Sequence, residues 1–572
     1  MEGTVFSKLH EIVKNREIIG ERLAEDTWGR MSFETAHVEG EALIAGDFAH
    51  PADAVLSPKL TGWHKVFAAS IEFNSGFSLY LRLDNEKQFS LLTSRWSKVV
   101  PSQWGGFDFV REVFWCCADL TDREIVLKKS PSDVTTLAWI RCVPMTEAEV
   151  AAYREMINPE GKRNLHVHYD NMFEYKYGPD SEENLLLGYK PLTRSHAKIC
   201  SQETLIDLYD PMCAEIDSLT NTRLYRAREL SPALLEAQDR IVRMRAEYLH
   251  EIGILLYAAP RMCVANTTPP YKPSHMRSFV AEHPEYYIKT RDGRATTVCS
   301  YAFPEVRRFV VESIKRTVAR GYDGVSLIAH RGMHVAFEEP VLDEFAHRYG
   351  GLDARRVPMD DPRLKDLWCE YVTAFVRELR DELDRTMGRH VPINMITCHT
   401  PEASRRIGVD VEMLCKEGLI DHFCAETMDT YEKLDGCLAE DGLIDLEKYK
   451  QTLNERYIVR REISNDVENV KLGTPLFAAI SEKYGVEFFA GMDPCHSRPD
   501  QFADRIKMQK SLGAKNISFF NYLEYTQSPA VMNAASLTGI DEVDPQYYMP
   551  NFYRILSLDG ADISTYQPNW FC

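Results

Sequence analysis

Hydrophobic and polar positions alternate with two different periods along this chain, and the change falls near residue 150. From about 40 to 145 the apolar runs are short, aromatic and β-branched: GWHKVFAASIEF, FSLYLRL, QFSLLTS, REVFWCCADL and TTLAWIRCVPM, separated by turn-forming residues. Little room is left between them for helices, and strands at such spacing predict an all-β sandwich. The run MTEAEVAAYREM then reads as a short helix leading out of that domain.

Beyond it one unit recurs five times: an amphipathic helix, a glycine, then a short apolar strand. SPALLEAQDRIVRMRAEYLHEIG leads to ILLYAAP, PEVRRFVVESIKRTVARG to YDGVSLI, and VEMLCKEG to LIDHFCAET. TPLFAAISEKYG leads to VEFFAGM, and PDQFADRIKMQKSLG to AKNISFFNY. Ser231-Pro232 and Thr474-Pro475 predict helix starts, a capping hydroxyl before a proline whose missing N–H is not needed there. Gly253, Gly321, Gly418, Gly485 and Gly513 stand where a left-handed residue ends a helix. A sixth helix, over 361–388, carries Leu364, Leu367, Trp368, Tyr371, Phe375, Leu379 and Leu383 on one stripe and feeds VPINMIT.

These strands are nearly all apolar, as burial on both faces of a parallel sheet demands. With 164-NLHVHY-169 there are seven strand candidates, and RYIVRREI makes eight. That count predicts a (β/α)8 TIM barrel. An open doubly wound sheet is less consistent, since no glycine-rich phosphate-binding turn follows any strand. The expected organisation is an N-terminal helix plus β-sandwich over 1–150, the barrel over 160–540, and an aromatic C-terminal tail over 541–572 packing on the barrel.

Charge removes some partners. Lysine plus arginine number 67 against 86 aspartates and glutamates, and the net charge of −19 works against nonspecific binding to nucleic acid or anionic membrane. The opening segment MEGTVFSKLHEIVKNREIIGERL reads as an amphipathic helix, with no apolar run long enough for a signal peptide or membrane span. Fourteen cysteines are scattered without any Cys-x-x-Cys spacing, which predicts reduced thiols in a cytoplasmic protein.

In a barrel of this kind the active site lies at the carboxyl ends of the strands. The stretch 321-GYDGVSLIAHRGMHVAFEEP-340 shows the pattern, a buried strand followed at once by His330, Arg331, Glu338 and Glu339. The other strand ends contribute Asp170, Tyr257 with Arg261, His399, Glu426, Asp493 with His496, and Asn521 with Glu524. A ring of carboxylates with histidine, arginine, asparagine and tyrosine suits glycoside hydrolysis. One carboxylic acid protonates the departing oxygen, while a second carboxylate attacks or activates water. Glu426 with Asp493 or Glu338 is the expected catalytic pair. Arg331, His330, His399, Glu339, Tyr257, Asp170, Asn521 and Glu524 are expected to bind the sugar. Arginines at two strand ends favour an anionic substrate. No organic cofactor and no metal are expected.

Two rival readings exist. In 166-HVHYD-170 two histidines one residue apart point the same way from the first strand, as in metal-dependent barrel hydrolases of the amidohydrolase type, with His399 and His422 as further ligands. The other is a non-catalytic carbohydrate-binding protein on the same scaffold.

The chain also resembles a group of glycoside-hydrolase-like proteins, loosely described as family 10 glycosyl hydrolase-like, that join an N-terminal β-sandwich to a barrel. The matching stretches are AGDFAHPADAVLSPKLTGWHKVF, ADLTDREIVLKKSPSDVTTLAWIRCVPM, EHPEYYIKTRDGRATTVCSYAFPEVRRFV, GYDGVSL, EEPVLDEFAHRYGG and VDVEMLCKEGLIDHF. The resemblance implies a barrel hydrolase acting on carbohydrate, with Arg331 and Glu338 or Glu339 following the top of one strand. Related barrels often read DGxxxD there, whereas this chain has Ser326, Leu327 and Ile328. If an aspartate there is essential in the group, this chain uses another carboxylate or is inactive.

Overall fold

The computed structural model describes residues 3–35, 37–72, 77–94, 109–130, 134–161, 163–169, 184–204, 238–262, 278–330, 332–426, 428–432, 434, 436–452, 460–463, 467–492, 499–520 and 554–557. Eight parallel strands close into a barrel. In chain order they are β1 (Leu165–Tyr169), β2 (Ala197–Thr204), β3 (Leu255–Pro260), β4 (Gly324–Ile328), β5 (Ile393–Cys398), β6 (His422–Glu426), β7 (Glu487–Met492) and β8 (Asn516–Phe519). β1 pairs with β8 to complete the cylinder. Alternate residues face outward to the helices, among them Val167, Cys200, Leu256, Val325, Met395, Phe423, Phe488 and Ile517. The others turn inward, where Ile199, Tyr257, Ala259, Ile328, Ile396, Cys424 and Phe489 pack together.

The stripe expected over 361–388 is the buried face of helix Pro362–Thr386, which Asp361 caps by accepting from the Arg363 N–H. All five helix-ending glycines have positive φ, from 67° at Gly418 to 129° at Gly321. The Thr474-Pro475 start is corrected: helix Val467–Tyr484 begins seven residues earlier and carries Pro475 inside it. Ser231-Pro232 lies outside the described residues.

Ahead of the barrel the chain forms antiparallel sheets. Strands Thr4–Phe6, Trp139–Pro144, Trp63–Glu72 and Phe109–Asp119 lie in one. Two smaller sheets, of three and four strands, complete the sandwich. Leu43, Val66, Leu79, Leu81, Trp115, Leu127 and Ile140 form its core. Helix Glu147–Met156 leaves it behind a capping box in which Thr146 and Glu149 exchange hydrogen bonds.

Two expectations fail here. The N-terminal segment is not a helix: Thr4–Phe6 pairs with 140–142, and single 3-10 turns follow at Leu9–Glu11 and Arg16–Ile18. An isolated helix of that length is marginal, and the segment instead seats Leu9 and Val13 in the sandwich core. Of the expected tail only Arg554–Ser557 is described, and it pairs with Phe109–Glu112 of the sandwich. RYIVRREI is no barrel strand, since Arg460–Ile463 pairs antiparallel with Met428–Tyr431. β2, AKICSQET, takes the eighth place. Among the described residues no helix is long and apolar enough to cross a membrane.

Candidate active site

Inward-facing positions near the carboxyl ends of the strands form the barrel mouth. Glu426 is the last residue of β6, and Glu203 is the last but one of β2. These strands stand half-way round the cylinder from each other, and both side chains are 2% exposed as residues. Glu203 Oε1 meets Arg261 Nε at 2.5 Å, and its Oε2 lies 3.9 Å from His168 Nε2. The His168 ring stacks on Phe520, with centroids 4.1 Å apart and planes 2° from parallel. His330 meets the same Phe520 ring edge-on at 5.0 Å. Histidines from β1 and from the residues after β4 thus converge on one aromatic surface beside Glu203.

Glu426 Oε1 accepts a hydrogen bond from the Ser518 hydroxyl of β8 at 3.2 Å. On the neighbouring β7, Gly491 leaves space for it. A Cβ there would stand 1.9 Å from the Ala425 carbonyl oxygen and 3.0 Å from Glu426 Oε2. His399, immediately after β5, is buried under helix Val467–Tyr484, where Gly473 lets the backbones approach; a Cβ at 473 would lie 1.9 Å from the His399 carbonyl oxygen.

Other expected site residues stand elsewhere. Tyr257 faces the lumen at the opposite, amino-terminal pole. Its hydroxyl lies 3.3 Å from His422 Nε2, at the first residue of β6, and His422 in turn pairs with Glu487 at 3.1 Å. Its ring occupies the room that Gly324 leaves at the start of β4, where a Cβ would be 2.7 Å from it. Tyr257 is therefore withdrawn as a sugar contact. Glu338 is fully buried behind the fourth strand's loop, and local donors engage both its oxygens. The Ser300 hydroxyl and the Ala336 N–H (3.0 Å) donate to Oε1, and the Lys289 N–H (3.3 Å) to Oε2. Burial raises its pKa above the ordinary glutamate range, while these hydrogen bonds oppose that rise. It pins the hairpin 287–299 to the loop before helix Glu339–Arg348, so the expectation of a catalytic Glu338 is corrected to a structural one. Glu339 opens that helix, largely exposed and ion-paired with Lys289. Asp170, Arg331, Asp493, His496, Asn521 and Glu524 lie outside the described residues.

The metal reading does not suit the donors. Both nitrogens of His166 are engaged, Nδ1 with Ser518 Oγ at 2.8 Å and Nε2 with Ser201 Oγ at 2.7 Å. His422 lies at the far pole. Among the described residues no three His, Cys, Asp or Glu side chains are grouped to hold a metal ion.

Sequence reasoning missed Glu203 because it missed β2. The signal was present: 199-ICSQET-204 and 422-HFCAET-427 both close on Glu-Thr.

Fold and site together define a (β/α)8 barrel protein with an N-terminal β-sandwich and an acidic, histidine-lined mouth. No protein-family model matches the sequence, and no curated protein does. Solved structures similar to it include the glycoside hydrolase domain of PelA from Pseudomonas aeruginosa, at 11% identity over 63% of this chain and 96% of that one, with a TM-score of 0.32. A ruminal GH26 endo-β-1,4-mannanase gives 10% identity over 96% and 98%, with a TM-score of 0.29. The α-galactosidase TtGalA from Thermus thermophilus gives 10% over 92% and 98%, also with a TM-score of 0.29. Similarity this low carries no argument about chemistry.

Proposed function

We propose that this protein is a glycoside hydrolase whose active site is the barrel mouth, with Glu426 and Glu203 as its working carboxylates. The observation that carries the reading is the delivery of these two buried acids, from strands on opposite sides of the cylinder, to one mouth. A sugar ring seated between them has a carboxyl on either side. One protonates the departing glycosidic oxygen. The other attacks the anomeric carbon, or takes a proton from the water that does. Asp493, which follows β7 directly in the sequence, is the rival for the second role.

His330 and His399 supply polar contacts to sugar hydroxyls, joined by Asp170, Arg331, Asn521 and Glu524 from the remaining strand ends. Arg261 already has Glu203 as its partner, which favours a neutral sugar at that position over an anionic one. The sequence resemblance to barrel glycoside hydrolases with an N-terminal sandwich supports the same class.

The test is hydrolysis of a panel of aryl glycosides and oligosaccharides by wild type, Glu426→Gln, Glu203→Gln and Asp493→Asn. Loss of turnover in Glu426→Gln and in one of the other two identifies the pair. Turnover unchanged in all three removes the assignment. Sugar binding by wild type without turnover makes the scaffold a carbohydrate-binding protein.

A further inference from the structure

Below Glu426 the barrel lumen carries a run of polar side chains. Asn394, Ser326, Ser201, His166 and Ser518, one residue each from β5, β4, β2, β1 and β8, are all fully buried there. Their side chains form a continuous run. Asn394 Nδ2 donates to Ser326 Oγ at 2.9 Å, and Ser326 and Ser201 share a 2.5 Å contact. Ser201 Oγ lies 2.7 Å from His166 Nε2, His166 Nδ1 lies 2.8 Å from Ser518 Oγ, and Ser518 donates to Glu426 Oε1 at 3.2 Å. Cys424 Sγ, 3.5 Å from Asn394 Oδ1, donates to the amide oxygen and so holds the amide nitrogen toward Ser326.

The Glu426 end sets the direction. An amide nitrogen only donates, and a carboxylate only accepts. Ser518 has one proton and directs it to Glu426, so it must accept from His166 Nδ1–H. The neutral ring then accepts at Nε2 from Ser201. Ser201, its proton so used, accepts from Ser326, which Asn394 also serves as donor. His166 is neutral: burial in the lumen, followed by repulsion from His168 and His422, holds it well below the ordinary histidine range.

We propose that this run is a positioning relay, in which the Nδ1–H tautomer of His166 commits the Ser518 hydroxyl as a donor to Glu426 and holds Glu426 as the ionised carboxylate of the pair, the nucleophile or base and not the acid. This rests on the reading of the mouth as a glycosidase site. The opposite tautomer of His166 would reverse the run, and Ser518 would turn its lone pairs toward the carboxylate. Coupled hydrogen bonds of this kind strengthen one another in a low-dielectric interior. The titratable and charged groups nearest the relay are His168 on its own strand, His422 and Cys424 on β6, and the Glu203–Arg261 pair across the mouth.

Two measurements on the full-length protein decide it. The first is nitrogen-15 NMR of histidine-labelled protein, with the His166 signal assigned by its loss in His166→Gln. The expected result is a neutral ring protonated at Nδ1 and bare at Nε2 near pH 7. A ring protonated at Nε2 overturns the relay, whether or not any glycoside is turned over. The second is the pH profile of kcat/KM. Ser518→Ala is expected to move the acidic limb, which reports ionisation of Glu426, to higher pH by about one unit, and Ser518→Thr to restore it. An unmoved limb in folded, active Ser518→Ala overturns the relay while leaving the glycosidase reading intact. If no glycoside is turned over, the glycosidase reading falls, and the tautomer still decides the relay.

Discussion

Glu426 and Glu338 are both carboxylates removed from water, 2% and 0% exposed, yet they belong to different kinds of site. Glu426 ends a barrel strand at an inward position, with a serine hydroxyl from β8, two strands away, on one oxygen. Glu338 precedes a helix outside the barrel, and donors from its own loop and the adjoining hairpin engage both oxygens. A buried ion pair reinforces that second region. Arg291 forks onto Glu432 at 2.9 and 2.6 Å, and Tyr449 donates to the same carboxylate at 3.0 Å. Burial of an acid therefore does not by itself mark chemistry. What separates the two is whether the element carrying the acid aims it at a shared space or into its own surroundings.

The strongest way to break this contrast is to make each carboxylate neutral. Glu426→Gln is expected to lower kcat by about 10²–10⁴-fold, the usual worth of a positioned acid or base, with an unchanged urea midpoint. An equal loss in Glu338→Gln would erase the distinction. The next effect belongs to the hairpin region. Glu432→Ala leaves Arg291 charged and buried, and is expected to destabilise the fold by about 3–5 kcal/mol. Chemical denaturation measures it, and a cost under about 1 kcal/mol would show that the pair is solvated in solution. Glu338→Ala strands the N–H groups of Ala336 and Lys289, at an expected cost of about 1–3 kcal/mol. Activity per folded molecule should stay at the wild-type level.

Much of the barrel could be read from the chain because its signals are local. A proline or glycine at a helix end and an apolar stripe such as Leu364 to Leu383 need only neighbours along the sequence. Glu426 was legible for the same reason, as the first charge after a buried strand. Tyr257 shows where this stops. Its place near Arg261 in the sequence sets it at a strand end, but its depth depends on pairing with Gly324 and on strand stagger, which are set by the closed sheet. β2 was missed for a related cause. Its inward Ser201 and Glu203 make it half polar, so it fails the test of an apolar buried strand, although the lumen it faces is itself hydrogen-bonded and polar. Thr474-Pro475 misled because the helix start was judged from residues that the chain carries past, packed against His399.

The smallest expected effect sharpens the comparison through pH, because the two regions titrate with opposite signs. His166 is depressed well below its ordinary value by burial and by His168 and His422. Above about pH 6.5 it is neutral in both the folded and the unfolded chain and contributes no pH dependence. Below that, the unfolded chain takes up a proton that the folded one refuses, so stability falls with pH by up to about 1.4 kcal/mol per unit. Glu338 is raised, so the folded chain takes up its proton before the unfolded one does. Its contribution therefore grows as pH falls toward the ordinary glutamate value, and it works against the histidine. Urea midpoints between pH 7.0 and 5.5 separate them. His166→Gln, whose amide can still accept from Ser201 and donate to Ser518, is expected to flatten the acid-side slope, and Glu338→Gln to steepen it. Parallel slopes in wild type and His166→Gln would mean that the lumen histidine takes up its proton in the folded state, and the neutral ring on which the two regions differ would be lost.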